Sequence, residues 1–464
     1  MGSNSEPLLS VEISSDTRLS GNVKKSVIDE LRRELIIANP DYENKLRRGF
    51  YTGGTPQLLE FITEKNGKWI MPRGFTSKLI NILMNHRCYF FVDNSGTRVL
   101  KSVNFVFDGK LRKEQKEAAK ASLIENFSVI QLPTGAGKTV VALFCIADRK
   151  QPALVVVHTK ELLYQWRDAA KKFLRLKDNQ IGLLGEGQKK IGKKLTIATI
   201  QTLRKMAPEV SKKIGFLIVD ECHHVPAKTF TDTVSQFDCR YMLGLSATPK
   251  RNDGLSKSIH LYLGDLVFKK GAIEAQKQGI IMQPTVYAIQ TDFEYQYNDD
   301  YQQMISALVK NSKRNETISK GATELSLHTL ETILVVSDRK EHCMELANLI
   351  RGYQVVNIEL LTGDVAKEKR KQIVDKIYSD KVDILVATAS LIGEGFDYKN
   401  FAGLVLTTPI KSKVKLEQIV GRIRRTNNGK EPPVIYDYLD KNGVLKASYR
   451  TRFDAYKKMG VKFG

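Results

Sequence analysis

The stretch VIQLPTGAGKTVVALF, Val129–Phe144, runs from an apolar β-branched segment through a glycine-containing turn into a helical pattern. A phosphate-binding loop needs that order. Successive backbone N–H groups and the helix N-terminus hold phosphates, a lysine reaches the outer ones, and a hydroxyl meets magnesium. Lys138 and Thr139 fit the last two roles, Gly135 and Gly137 supply a permissive backbone, and Pro133, Thr134 and Ala136 complete the loop. Strict spacing asks for glycine at position 132, where this chain has Leu132, so a chance glycine turn is the competing reading. A strand before and a helix after favour the loop.

Such a loop requires an acidic partner, and LIVDECHH, Leu217–His224, supplies one about 80 residues downstream. An apolar strand delivers Asp220 to its C-terminal end, where it can hold magnesium, and Glu221 beside it can polarise an attacking water as general base. An acidic strand-end turn is the bland alternative. Two features in the expected order and separation outweigh coincidence. His223 and His224 are adjacent and have no third ligand nearby, which argues against zinc.

Outward from these motifs, short β-branched runs alternate with amphipathic segments from about Leu111 onward: ALVVVH before TKELLYQWRDAAKKFL, TILVVS before DRKEHCMELANLIRG, then DILVAT and GLVLTT. Near-continuous apolar strands separated by helices imply parallel sheets covered on both faces, and there are too many strands for one domain. A helical stretch ending at Gly279 and Pro284 places a boundary near residue 285. The first hundred residues differ in texture. NPDYENKLRRGFYTGGTPQLLEF is turn-rich, and GKWIMPRGFTSKLINILMNHRCYFFV predicts strand, turn, helix and strand. The expected fold is α/β, with a small α+β N-terminal domain at 1–108 and parallel-sheet domains at 109–285 and 286–464.

The net charge is +22, from 73 Lys+Arg against 51 Asp+Glu. Residues 109–288 hold 30 basic and 16 acidic side chains, so the middle third is the electrostatic centre and a polyanion is the favoured partner. Five scattered cysteines, Cys88, Cys145, Cys222, Cys239 and Cys343, show no metal-ligand spacing, and their odd number argues for a reducing compartment. The start of the chain does not resemble a signal peptide, and the apolar runs are too short to span a bilayer, so an intracellular, cytoplasmic protein without membrane contact is expected.

Taken together, LPTGAGKT, DECH, LSATP (Leu245–Pro249) and QIVGRIRR (Gln418–Arg425) resemble the ordered motifs of superfamily-two helicases with a DExH box. LGLSATPKRNDG and PIKSKVKLEQIVGRIRR resemble the XPB-like and phage UvsW-like branch in particular, and the N-terminal segment is loosely similar to the small DNA-binding domain of UvsW-type enzymes. The resemblance implies two RecA-like motor domains using ATP and Mg2+, with nucleotide in the cleft between them. It also assigns roles. Gln115 would read adenine near Arg112, and Gly395 and Asp397 would meet both nucleotide and nucleic acid. His223, Ser246 and Thr248 would couple nucleotide state to movement. Gln418, Arg422 and Arg425 would act on the phosphates.

By the same resemblance, Thr159, Lys160, Gln165, Thr199, Gln201, Thr202, Arg251, Arg339, Thr362, Gly363 and Thr388 are candidate nucleic-acid contacts, each with a competing reading as a helix cap or solvated side chain. If QIVGRIRR is helical, Arg422 and Arg425 share one face with Gln418 a turn earlier, while Arg424 belongs to a basic surface. Trp69 and Trp166 fit a core better than a stacking platform. The implied function is ATP-dependent remodelling of branched DNA (forks and Holliday junctions) by a protein acting as a monomer on DNA. An RNA helicase, a motor subunit of a restriction or defence complex and a nucleotide-gated binding module remain as alternatives.

Overall fold

The computed structural model describes residues 8–223, 227–247, 255–393, 398–427 and 429–464. The chain divides into two compact units, Met1–Leu132 with Gly137–Lys269, and Pro133–Ala136 with Lys270–Gly464.

The first unit contains two main sheets. Its N-terminal sheet is mixed and five-stranded, in the order Thr63–Lys65, Lys68–Pro72, Asp16–Ser20, Leu9–Ile13, Phe90–Asp93. Period-two burial explains its inner face: Leu9, Val11 and Ile13 are buried on one strand, Thr17 and Leu19 on the next. Helices Lys25–Leu35 and Thr76–Asn85 bring Val27, Leu31, Leu35, Leu79, Ile82 and Leu83 into the same core at helical spacing. That core is continuous with Phe127 and Val129 of the following sheet and with Ile259, Leu261 and Leu263 of the helix Ser256–Leu263. A Cβ added to Gly74 would sit 2.5 Å from the Gly264 amide nitrogen, so the backbone of the turn Arg73–Phe75 lies directly against the end of helix Ser256–Leu263.

The second sheet of this unit has eight strands, in the order Gln188–Lys189, Ile181–Gly185, Leu195–Thr199, Ala153–Val157, Phe216–Val219, Tyr241–Ser246, Phe127–Gln131, Asp265–Lys269. All its pairings are parallel except that of the edge strand Gln188–Lys189. Ser246 pairs with Gln131, and Val219 pairs with Gly244 and Val156. The loops that follow Gln131, Val219 and Ser246 therefore leave one end of the sheet side by side, the C-terminal end at which open α/β sheets bind ligands.

In the second unit a seven-stranded sheet, parallel throughout, runs in the order Ile358–Leu361, Ile384–Thr388, Thr332–Ser337, Phe401–Leu406, Val434–Leu439, Thr285–Gln290, Lys462–Phe463. Strands Thr332–Ser337 and Ile384–Thr388 are buried at every position, as the unbroken apolar runs in the sequence require. Two buried ion pairs, Arg314 with Asp440 at 2.7 Å and Arg452 with Asp437 at 2.8 Å, tie the helices Ser312–Leu327 and Gly443–Met459 to the sheet side. Among the described residues, no helix is long and apolar enough to cross a membrane.

Candidate nucleotide and nucleic-acid sites

The phosphate-loop candidate leaves strand Phe127–Gln131 and enters helix Lys138–Arg149. Gly135 and Gly137 both have φ of +89°, a conformation that costs a side-chain-bearing residue but not glycine. Gly137 has a second constraint, because a Cβ there would fall 2.4 Å from Gln115 Nε2. Gln115 is itself oriented by the Arg112 amide, which donates to its Oε1 at 3.0 Å. Both expected adenine-side residues therefore lie against this loop. Leu132, where the strict motif has glycine, is fully buried, and its amide donates to the Ser246 carbonyl at 3.1 Å.

Lys138 is buried, and its Nζ lies 3.1 Å from Glu221 Oε1 and 3.4 Å from the Leu132 carbonyl. Glu221 Oε2 is 3.4 Å from the Ala247 amide and 3.5 Å from His223 Nδ1, which in turn shares a 2.8 Å hydrogen bond with Ser246 Oγ. One polar chain thus connects the loop lysine to the LSATP strand end. Glu221 adopts φ of +44°, a strained conformation for a residue with a side chain, of the kind that clusters at functional sites.

Asp220 sits just beyond strand Phe216–Val219. Its Oδ2 accepts from Trp166 Nε1 at 2.7 Å, and its Oδ1 accepts from the Glu221 amide at 2.9 Å. Burial, then the neighbouring Glu221 charge, pushes its pKa up to about 6, against the pull of Lys138. Sequence reasoning treated Trp166 as core alone. It is buried, but its one polar atom addresses a site carboxylate. The available signal was position: Trp166 lies mid-helix after strand Ala153–Val157, the direct neighbour of the strand that carries Asp220.

Several nucleic-acid candidates take on local structural duties. Thr159 caps helix Lys160–Leu174 by accepting from the Leu162 amide at 3.3 Å. Thr199 bonds Thr202 at 3.0 Å, Gln201 is exposed, Gln165 is half-buried, and Lys160 approaches Glu186 at 3.8 Å. In the second unit, Arg339 follows strand Thr332–Ser337, with its amide on Ser337 Oγ at 3.1 Å and its guanidinium on Gln302. It helps line a cavity of about 300 Å³ with Tyr301, Asp338 and Thr408. Thr362 and Thr388 are buried at strand ends, and Gly363 lies near the Lys340 stem. Thr248, Arg251, Gly395 and Asp397 lie outside the described residues.

The arginine motif departs from expectation in two ways. Helix Lys413–Ile423 carries Gln418 and Arg422, both buried, with Arg422 Nε donating to the Ile392 carbonyl at 3.1 Å. The helix ends before Arg425, which forms an extended bridge with Ile281, so Arg422 and Arg425 do not share a helical face. The carbonyls at this helix end bond outside the helix: Lys430 Nζ donates to those of Ile423 and Arg425 at 2.8 and 3.1 Å, and the Met282 amide donates to that of Arg424 at 2.7 Å. Arg424 is not surface: it is 3% exposed and donates to the carbonyls of Met282 and Met459 at 3.2 and 3.1 Å.

Residues 108–251 match a family described as type III restriction enzyme, res subunit, and residues 315–427 match the helicase conserved C-terminal domain. The chain is 27% identical over 336 residues to the probable helicase D10 of Escherichia phage T5, covering 72% of each chain. It is 26% identical over 358 residues to the DNA 3'-5' translocase XPB2 of Sulfurisphaera tokodaii, covering 68% of this chain and 79% of that one. It is also 25% identical over 369 residues to the ATP-dependent DNA helicase uvsW of Enterobacteria phage T4, covering 75% and 72%. A relative from Acanthamoeba polyphaga mimivirus, 26% identical over 469 residues and covering 95% and 85%, bears a provisional name as an ATP-dependent RNA helicase. Among solved structures, the type ISP restriction-modification enzyme LlaBIII bound to DNA shares the fold with a TM-score of 0.57 at 15% identity, over 81% of this chain and 32% of that one.

Proposed function

The chain belongs to the superfamily-two helicases, in the branch with UvsW-like and XPB-like enzymes, and from that premise we propose that this ATP-dependent helicase remodels branched DNA. The observation that carries the motor reading is the polar chain Lys138, Glu221, His223, Ser246. It joins the residue that would hold the outer phosphates to a strand end that would report their loss. Glu221 would orient and deprotonate the attacking water, and Arg422 and Arg425 would supply guanidinium groups to the phosphates.

The site fits magnesium. Asp220 is a buried carboxylate whose pKa is raised by burial and then by the neighbouring Glu221 charge, and the Thr139 hydroxyl lies in the first turn of the helix that follows the loop. Asp220 and Thr139 would hold the ion, which when bound shields phosphate charge. The names of the XPB2 and uvsW relatives support DNA as the polymer. The N-terminal domain at 1–108 would add DNA contacts to motor domains at 109–285 and 286–464, and the residues from Thr159 to Thr388 named above would grip the backbone.

The test compares ATP hydrolysis with single-stranded DNA, duplex DNA and RNA, followed by processing of fork, four-way-junction, DNA-duplex and RNA-duplex substrates. DNA stimulation with fork or junction turnover is expected. Stimulation by RNA alone, the reading favoured by the mimivirus relative's name, overturns the proposal.

A further inference from the structure

Between helix Lys25–Leu35 and strand Lys68–Pro72 the chain makes an excursion. Strand Ile36–Ala38 pairs antiparallel with Leu58–Glu60 in a two-stranded ribbon that joins no other strand among the described residues, and residues 39–57 form its tip. Polar bonds hold this tip together. The Asn39 side chain accepts from the Asp41 amide at 3.1 Å and donates to the Pro56 carbonyl at 2.7 Å, and Lys45 Nζ reaches Thr55 Oγ1 at 2.8 Å. Gly49, at φ +69°, ends the helix Pro40–Arg47, and the Phe50 amide returns to the Lys45 carbonyl at 2.9 Å.

The helix Pro40–Arg47 buries no residue at all. The tip is built, yet commits no apolar side chain of that helix to a core. Instead Phe50 is 62% exposed and Tyr51 88% exposed. A Cβ on Gly53 would fall 2.0 Å from Cζ and Oη of Tyr51, so the hydroxyl end of the ring lies against bare glycine backbone while most of the ring faces solvent. Arg47 and Arg48, immediately before these rings, are exposed and form no ion pair among the described residues.

A ring anchored at its hydroxyl end and otherwise open to solvent, following two guanidinium groups that form no ion pair among the described residues, in a chain of charge +22, is suited to a base and its phosphates. We propose that this tip stacks Tyr51 and Phe50 on the terminal base pair where a DNA duplex ends or branches, with Arg47 and Arg48 on the adjoining phosphates. A protein partner could use the same rings and arginines, and the net charge of +22 is what favours a polyanion over it. The proposal rests on the DNA reading above and names the element that meets the branch.

The full-length protein, without ATP, is to be bound to a forked duplex carrying 2-aminopurine at the branch-point pair, and to one with the probe deep in the duplex. Wild-type protein is expected to change the branch-point signal alone. Phe50→Ala with Tyr51→Ala should abolish that change and weaken fork affinity roughly tenfold, while Tyr51→Trp keeps both. Thermal unfolding and ATP turnover stimulated by single-stranded DNA should stay at wild-type values in these variants, since the tip contributes to neither core nor nucleotide site. A double variant that retains the branch-point signal and fork affinity overturns the inference, as does an equal signal from the interior probe. Absence of DNA-stimulated turnover in the wild type counts instead against the DNA reading.

Discussion

Trp166 Nε1 donates to Asp220 Oδ2 at 2.7 Å while the Glu221 amide holds Oδ1 at 2.9 Å, so each oxygen of the buried carboxylate has a fixed N–H donor. A carboxylate that must present a lone pair to a cation gains from having its rotation fixed beforehand. Trp166→Phe keeps most of the ring and removes one donor. The expected result is a stability loss of about 1–3 kcal/mol, turnover lowered roughly tenfold and a raised magnesium requirement, with nucleotide affinity little changed. Magnesium titrations of ATP hydrolysis decide the matter. A lowered thermal midpoint with a wild-type magnesium requirement would make Trp166 a core residue alone.

Lys138 and Glu221 lie 3.1 Å apart, and their substitutions should separate binding from chemistry. Lys138→Ala removes the cation proposed for the outer phosphates, and nucleotide binding and turnover should both be lost. Glu221→Gln keeps shape and most hydrogen bonding but removes the proposed base, so nucleotide should still bind while hydrolysis falls by roughly 10²–10⁴-fold. Equilibrium nucleotide binding and single-turnover hydrolysis distinguish the two. Wild-type turnover in either variant removes the corresponding role.

The strands that build the site were legible because parallel, doubly covered strands such as Ala153–Val157 are apolar throughout. The turn between strand Phe127–Gln131 and helix Lys138–Arg149 was legible because glycine at φ of +89° has few substitutes. The helix Pro40–Arg47 went unread inside a turn-rich stretch, although Asn39 as cap, Pro40 at its first turn and Gly49 just beyond its end are its signals. Its lack of any buried side chain removed the hydrophobic period that would have drawn attention to it. Arg424 and Arg425 were misplaced for a different reason. Their conformations depend on Lys430 and Met282, and neither partner is visible in a local helical pattern.

Arg73 is 2% exposed and, among the described residues, pairs with no carboxylate. Its guanidinium donates to the Cys239 carbonyl at 2.8 Å and the Ser14 carbonyl at 3.3 Å, over the Phe127 ring. It links the N-terminal sheet to the eight-stranded one. Arg73→Ala should cost about 2–4 kcal/mol by leaving a cavity and unpaired carbonyls, and Arg73→Met, which restores volume, should cost less. Because the core is shared, deleting residues 1–108 would expose Phe127, Ile259, Leu261 and Leu263, and the shortened chain should aggregate rather than serve as a clean motor. Denaturant unfolding of the two point variants tests the first claim, and light scattering of the truncation the second. A monomeric truncation with DNA-stimulated ATP turnover would show that the second unit and eight-stranded sheet stand without that layer.

His342 sits fully buried in helix Lys340–Gly352, with Nε2 on Asn315 Oδ1 at 2.9 Å and Nδ1 on Ser337 Oγ at 3.0 Å. Asn315 Nδ2 is committed to the Val309 carbonyl at 2.8 Å, so its oxygen faces the ring and the Nε2–H tautomer fits. Burial first, and then the Arg314 charge, lower the imidazole pKa from 6.5 to about 3. The unfolded chain therefore takes up a proton below pH 6.5 that the folded chain refuses. Stability is lost as pH falls from about 6.5 towards 3, by about 2 kcal/mol at pH 5. His342→Gln retains a donor and an acceptor without that titration, so its unfolding free energy should decline less between pH 7 and pH 5 than that of the wild type. Denaturant unfolding across this range is the measurement, and parallel declines would mean that His342 is not the group that titrates.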